Sequence, residues 1–313
     1  MAGTGLHELL ARADARTVAL VDDARAVTFG ELDREVADLA ARLTEARAPG
    51  AVVAILAENS VDYVAWLYAI PRAAMRALLL NVRDHPRSWA AILARSGCTL
   101  VAGDRALLDR LAPEGSPGIE LIDFSPAPAP RAEATRTVPT GPAEASGGEA
   151  TDGDQVAWVV PTSGTTGTPK LALLTHASLL AAARGCAEAR PVVADDVYLL
   201  AFPLCHVAAY NVLVQHLHGR TVVVTRRFEP RRTAQLIERH RVTAASLAPT
   251  MIAALLDDIA HDDSRPDLSS LRLLAYGSAP IAEPLLRRAM AELGCDFSQG
   301  YGMTELSGNC AYL

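Results

Sequence analysis

The sequence predicts an α/β fold in which a mostly parallel sheet is covered by helices on both faces. Short apolar runs alternate with stretches of helical periodicity, and the chemically unusual segments follow those runs rather than precede them. Half of the 313 residues are hydrophobic, enough to bury a sizeable core.

Thr28 is placed to cap a helix over Phe29–Leu43, where Leu32, Val36, Leu39, Ala40 and Leu43 recur at helical spacing. Pro49-Gly50 marks a turn, and the apolar run Val52–Leu56 suits a buried strand. Asn59-Ser60 leads into a helix over Val61–Ala73, followed by a strand at Ala77–Leu80, a helix near Ser88–Arg95 and a strand near Thr99–Ala102. From Ser125 to Asp154 the composition turns to Pro, Ala, Gly, Ser, Thr and Glu, which reads as a solvated loop. Strand-like runs resume at Val156–Val160, Leu171–Leu174, Val197–Phe202 and Thr221–Thr225. Two strand–helix units follow. Val242–Leu247 leads into a helix at Met251–Ala260, and Leu271–Tyr276 leads through Gly277-Ser278-Ala279-Pro280 into a helix around Ala282–Leu293. Cys295–Ser298 begins a further strand. No internal repeat is visible.

Composition excludes several classes of function. A formal charge of −7, from 36 acidic and 29 basic residues, lacks the basic footprint of a nucleic-acid binder. The five cysteines are scattered, with no C-x-x-C pair, so neither a disulfide framework nor a zinc site is expected. The apolar runs are too short to span a bilayer, and the first residues lack a basic-then-apolar signal pattern, so a soluble cytoplasmic protein is expected. The patterns G-x-S-x-G, H-E-x-x-H and G-x-G-x-x-G are missing, which weakens hydrolase, metalloprotease and dinucleotide readings.

The cationic residues single out one position. Twenty-eight of the 29 are arginine, and the one lysine, Lys170, ends the run Thr162-Ser163-Gly164-Thr165-Thr166-Gly167-Thr168-Pro169-Lys170. Gly164 and Gly167 permit close backbone approach, the hydroxyls of Thr162, Ser163, Thr165 and Thr166 can donate, and Lys170 adds a compact charge. That combination suits phosphate oxygens, although a surface hairpin loop has the same composition. It is not a Walker A loop, because Pro169 precedes the lysine and Leu171 follows it. In Tyr301-Gly302-Met303-Thr304-Glu305, an aromatic beside glycine offers a purine a stacking face, Thr304 can donate to phosphate and Glu305 suits Mg²⁺. A Tyr-Gly turn before a helix-capping Thr-x-Glu reads the same way. His206, in Pro203-Leu204-Cys205-His206, is by itself as consistent with a structural role, and the neighbouring Cys205 faces away from it on an extended segment. His216 and His218 lack a third ligand and read as structural. Ligands of open α/β sheets bind beyond the carboxyl ends of the strands, so these segments can converge on one crevice.

In their order, these residues resemble the adenylate-forming superfamily of acyl- and aryl-CoA synthetases, peptide-synthetase adenylation domains and luciferases. The superfamily's T-S-G-[ST]-T-G-x-P-K is matched from Thr162 to Lys170, and its Y-G-x-T-E from Tyr301 to Glu305. Pro203–His206 looks like its P-L-x-H, Gly277–Pro280 like its G-x-A-P, and Thr28–Leu32 like its T-[YF]-x-E-L.

The resemblance implies stacked, mostly parallel sheets with helices on both faces, namely the large N-terminal domain without its C-terminal lid. Residues 1–124 would form a first α/β subdomain, 125–154 a flexible loop, and 155–313 a second subdomain carrying the ATP and acyl motifs. It implies ATP-dependent conversion of a carboxylic acid to an acyl-adenylate, then transfer to CoA or to a carrier-protein phosphopantetheine. Thr162–Lys170 would hold the β- and γ-phosphates, and Gly277, Ser278, Ala279, Pro280 and Tyr301 would bracket the adenine, with Gln299, Gly300 and Gly302 in the same stretch. Thr304 would contact the α-phosphate, Glu305 would hold Mg²⁺, and His206 would gate an acid pocket lined by Val207, Tyr210, Asn211 and Met303. Amino-acid-activating relatives carry an aspartate where this chain has Leu204–Val207, so a non-amino acid substrate is expected. The chain departs from the pattern at Pro161, Leu171 and Ala209, and it stops before the superfamily's T-G-D motif and lysine-bearing lid, which a separate polypeptide could supply. The alternative is a nucleotide- or acyl-binding module, or half of a split ligase.

Overall fold

The computed structural model of the chain describes residues 5–112, 114, 118–124, 153–162, 169–261 and 266–313. The first part forms α1 (Glu8–Arg12), β1 (Val18–Val21), β2 (Ala26–Thr28), α2 (Phe29–Ala46), β3 (Val52–Leu56), α3 (Val61–Arg72), β4 (Arg76–Leu79), α4 (Pro86–Ser96), β5 (Leu100–Gly103), α5 (Arg105–Leu111) and β6 (Glu120–Asp123). Next come β7 (Val156–Thr162), β8 (Lys170–Thr175), α6 (His176–Ala189), β9 (Val197–Leu200), a 3-10 turn (Val207–Ala209), α7 (Tyr210–Leu217) and β10 (Thr221–Val224). The chain continues with α8 (Pro230–His240), β11 (Ala244–Leu247), α9 (Pro249–Ala260), β12 (Leu273–Tyr276), α10 (Glu283–Leu293), β13 (Asp296–Met303), a second 3-10 turn (Thr304–Leu306) and β14 (Gly308–Tyr312).

Local chemistry explains the helix starts. At α2 the Thr28 hydroxyl accepts from the Glu31 N–H at 3.2 Å while the Glu31 carboxylate accepts from the Thr28 N–H at 2.8 Å, a complete capping box. Ser60 caps α3 in the same sense, its hydroxyl accepting from the Tyr63 N–H. Gly97 and Gly294 close α4 and α10 in the left-handed conformation that glycine adopts without penalty.

The strands form an eight-stranded sheet, ordered β14-β13-β12-β11-β9-β10-β1-β2, and a six-stranded sheet, ordered β6-β5-β3-β4-β7-β8. Pairing is parallel except for β1–β2, β13–β14 and β7–β8, which sit at sheet edges. The connection from β7 to β8 is too short for a crossover helix, so the pair is antiparallel. Sheet membership does not follow the division of the chain at residues 125–154. β1 and β2 pair into the sheet built mainly from the later strands, whereas β7 and β8 join the one built from the earlier strands. Strand edges recognise one another by backbone pairing, which is indifferent to distance along the chain.

Alternation along the strands defines the layers. Val53 and Ile55 of β3 face a core shared with Tyr198 and Leu200 of β9, while Val52, Ala54 and Leu56 face outward under α4 and α5. The shared core is filled by α2, α3, α6 and α7, which lie between the two sheets. A separate core, including Leu199, Val223, Leu247 and Leu274, lies under α8, α9 and α10. The molecule is thus helix, sheet, helix, sheet, helix in section. Each sheet is covered on both faces, as the near-continuous apolar strands require. No helix among the described residues is long and apolar enough to cross a membrane.

Candidate functional site

Strands β13, β12, β11 and β9 run parallel as consecutive neighbours, so the segments leaving β9, β12 and β13 emerge on one edge of the sheet. There they enclose a cavity of about 110 Å³. Phe202, Val207, Ala208, Tyr210 and Asn211 line it from the β9 side, Ala275–Ser278 from the end of β12, and Gly302 and Met303 from β13. A larger cavity of about 520 Å³, walled by Glu35, Asp38, Arg42, Trp66 and Phe124, carries none of the sequence motifs.

Close backbone approach holds this cavity together. A Cβ on Gly277 would lie 2.6 Å from the Gly300 carbonyl oxygen, so only glycine allows the end of β12 to lie against β13. A Cβ on Gly302 would collide with the Gly308 carbonyl across the β13–β14 pair. Ser278 takes the left-handed conformation at φ 67°, a sparsely populated region for serine that turns the chain away at the cavity mouth.

The strand that Lys170 opens meets the threonine–glutamate turn. Lys170 opens β8 opposite Thr162 and is exposed. The same strand packs against the turn Thr304–Leu306, where Glu305 is exposed and Thr304 half-buried. The Ser307 hydroxyl, hydrogen-bonded to that of Ser178 at 2.8 Å, ties the turn to α6. Among the described residues neither Lys170 nor Glu305 makes an ion pair. Ser163, Gly164, Thr165, Thr166 and Gly167 lie outside the described residues.

Other expected residues border the cavity without lining it. His206 is exposed at the start of the 3-10 turn, with Asp84 and Arg83 nearby, and packing around the ring lowers its pKa. Burial pushes the adjacent Cys205 thiol up to about 12, which leaves it protonated and rules it out as a nucleophile at neutral pH. Ala279 and Pro280 are exposed beyond Ser278. Gln299 accepts from the Tyr276 hydroxyl at 3.3 Å, Gly300 is buried, and Tyr301 is 66% exposed. The alternative of a Tyr-Gly turn and capped helix at Tyr301–Glu305 is not what forms: the strand runs through Met303 into a single 3-10 turn. Pairing with β14 accounts for the difference, because it satisfies the backbone of 300–303 as a ladder.

Several lining or supporting residues lie outside every motif. The Asn59 amide donates to the carbonyls of Phe202 and Thr225 and accepts from the Leu204 N–H at 2.7 Å, clamping the segment that carries His206. Arg190, Ser246 and Asn309 also line the cavity. Their spacing carries no signal, since each arrives from a different element.

This architecture, with the convergence of three motif segments on one edge of the eight-stranded sheet, defines an adenylate-forming type of N-terminal domain. Residues 8–313 match the AMP-binding enzyme family, and the chain belongs to it. Among its relatives, 4-coumarate–CoA ligase 1 of Oryza sativa subsp. japonica is 33% identical over 302 residues, covering 89% of this chain and 52% of the relative. A feruloyl-CoA synthase of Amycolatopsis sp is 33% identical over 303 residues, with 94% and 58% covered. The fold superposes with a TM-score of 0.81 on the O-succinylbenzoate coenzyme A synthetase of Bacillus subtilis in complex with ATP and magnesium ion, at 26% identity over 99% of this chain and 62% of that one. The chain spans about half the length of the curated relatives it matches.

Proposed function

We propose that the protein activates a non-amino carboxylic acid with ATP, giving an acyl-adenylate and pyrophosphate, and that the acyl group then passes to coenzyme A. The carrying observation is the cavity itself. It joins the segments after β9, β12 and β13, and among the described residues its lining contains no carboxylate and one charged residue, Arg190. An α-ammonium group would enter that cavity without a counter-charge and beside a cation, a costly arrangement. An anionic acid is favoured there. The names of the two relatives given above, a 4-coumarate–CoA ligase and a feruloyl-CoA synthase, point the same way.

The lining fits a nucleotide at its outer end. Gly277 and Gly302 present bare backbone, so a flat base can lie against peptide groups, with exposed Tyr301 beside them. Lys170 and the loop from Thr162 hold the β- and γ-phosphates, and Thr304 donates to the α-phosphate. Glu305 holds Mg²⁺, which supplies charge neutralisation at the phosphates. What these residues contribute is alignment: in-line attack on phosphorus by a carboxylate needs positioning and charge compensation more than a protein nucleophile. Val207, Tyr210, Asn211 and Met303 shape the acid site, and His206 stands at its rim.

Calorimetric titration with Mg·ATP and with acyl-sulfamoyl-adenosines tests the reading. Saturable binding of the adenylate mimics is expected. Their failure to bind the folded protein would overturn it.

A further inference from the structure

Arg190 follows α6 at its C-terminal cap and, among the described residues, is a cation without a counter-charge. Its Nη2 donates to the Cys186 sulfur at 2.6 Å and to Asn211 Oδ1 at 3.4 Å, its guanidinium lies over the Tyr312 ring at 5.4 Å, and its buried Nε has no partner. No carboxylate among the described residues pairs with it. Asp196, which shares a small second cavity with Arg190, is engaged by Arg272 at 2.7 Å, by the Thr243 hydroxyl at 2.7 Å and by the Val193 N–H. A half-buried guanidinium held only by neutral groups bears a desolvation cost that no protein acid offsets. Two further buried groups on the lining of the site cavity, the Ser246 and Tyr210 hydroxyls, also lack a hydrogen-bond partner. Arg190 stands where the site cavity abuts that second cavity, which is lined by Cys186, Tyr198 and Gln215, so it marks the inner end.

We propose that the acid accepted by this site carries a second carboxylate at its far end, which Arg190 binds with the Ser246 and Tyr210 hydroxyls. The substrate class is therefore a dicarboxylic acid activated at one end. This inference rests on the acyl-adenylate reading above. A carboxylate satisfies the fork-shaped donor set of arginine with two oxygens and accepts from hydroxyls as well, whereas an alkyl or unsubstituted aryl tail leaves all of these donors dry.

The test compares matched adenylate mimics by calorimetry: butanoyl- with succinyl-sulfamoyl-adenosine, and so on in length to octanoyl with suberoyl. At one chain length the ω-carboxylate mimic should bind roughly tenfold more tightly than its monoacid counterpart, the worth of a charge-assisted hydrogen bond. In Arg190→Gln that ratio should collapse toward one, and in Arg190→Lys it should partly survive. The wild-type ratio is decisive even if R190Q does not fold, which circular dichroism reports. Monoacid mimics that bind as tightly as diacid mimics at every length overturn the dicarboxylate assignment and leave the adenylate reading intact. A ratio unchanged in R190Q overturns the role of Arg190. Binding of neither series overturns both.

Discussion

Asn59 and Lys170 illustrate two kinds of site residue. Asn59 is buried, and its three hydrogen bonds hold the loop after β9 to α3 and β10. Asn59→Ala leaves two carbonyls and an N–H without partners, so a loss of about 1–3 kcal/mol of stability is expected. Urea denaturation measures it, and an unchanged midpoint at unchanged slope contradicts the clamp. Lys170 is exposed and makes no ion pair among the described residues. Lys170→Ala should leave the melting temperature within a degree or so while weakening Mg·ATP binding about tenfold, through loss of a charge-assisted contact. Calorimetry and a thermal melt on the same sample separate the two effects.

At the scale of elements, the site depends on strand ends held closer than side chains allow. Gly277→Ala sets a methyl 2.6 Å from the Gly300 oxygen. The end of β12 must then move away from β13, and both walls of the nucleotide end move with it. Binding of adenylate mimics should fall more steeply than stability, a difference visible when titration and denaturation are run side by side. The capping box of α2 offers a control remote from the cavity. Thr28→Ala removes the hydroxyl that accepts from Glu31 and should cost about 1 kcal/mol of stability with mimic affinity unchanged. An affinity loss matching that of Gly277→Ala would mean that the glycine acts only through global stability.

For the whole molecule, two histidines buried between the sheets govern the acid limb of stability. Burial holds His216 neutral, with its pKa lowered to about 4. One ring nitrogen lies 2.9 Å from the Tyr68 hydroxyl and the other 3.3 Å from the Ala19 carbonyl, one donor and one acceptor contact as a neutral imidazole requires. His176 is likewise lowered to about 4, chiefly by burial, and its Nδ1 accepts from the Leu6 N–H. Both folded pKa values lie below the unfolded value near 6.5, so the unfolded chain binds protons that the folded one refuses. Their stabilising effect is complete above that value and is lost as pH falls from about 6.5 toward 4. Urea midpoints should drop by the equivalent of a few kcal/mol between pH 7 and pH 5. His216→Gln should flatten part of that slope, and a midpoint independent of pH across the window would contradict the assignment.

The sequence by itself determined whatever local chemistry decides. Apolar runs placed β3, β7, β9 and β12, the Thr28–Glu31 pair placed the start of α2, and the order of short motifs identified the family. Those signals lie within a few residues of each other, where propensity, capping and backbone chemistry act. Tertiary structure alone decided which strands share a sheet, that 300–303 extend as a ladder with β14, that Arg190, Ser246 and Asn309 reach one cavity, and that Asn59 clamps the segment beside it. The physical reason is that backbone pairing and a buried cation's lack of an acid depend on distance in space. Neighbours along the chain, which are all a sequence displays, do not report that distance.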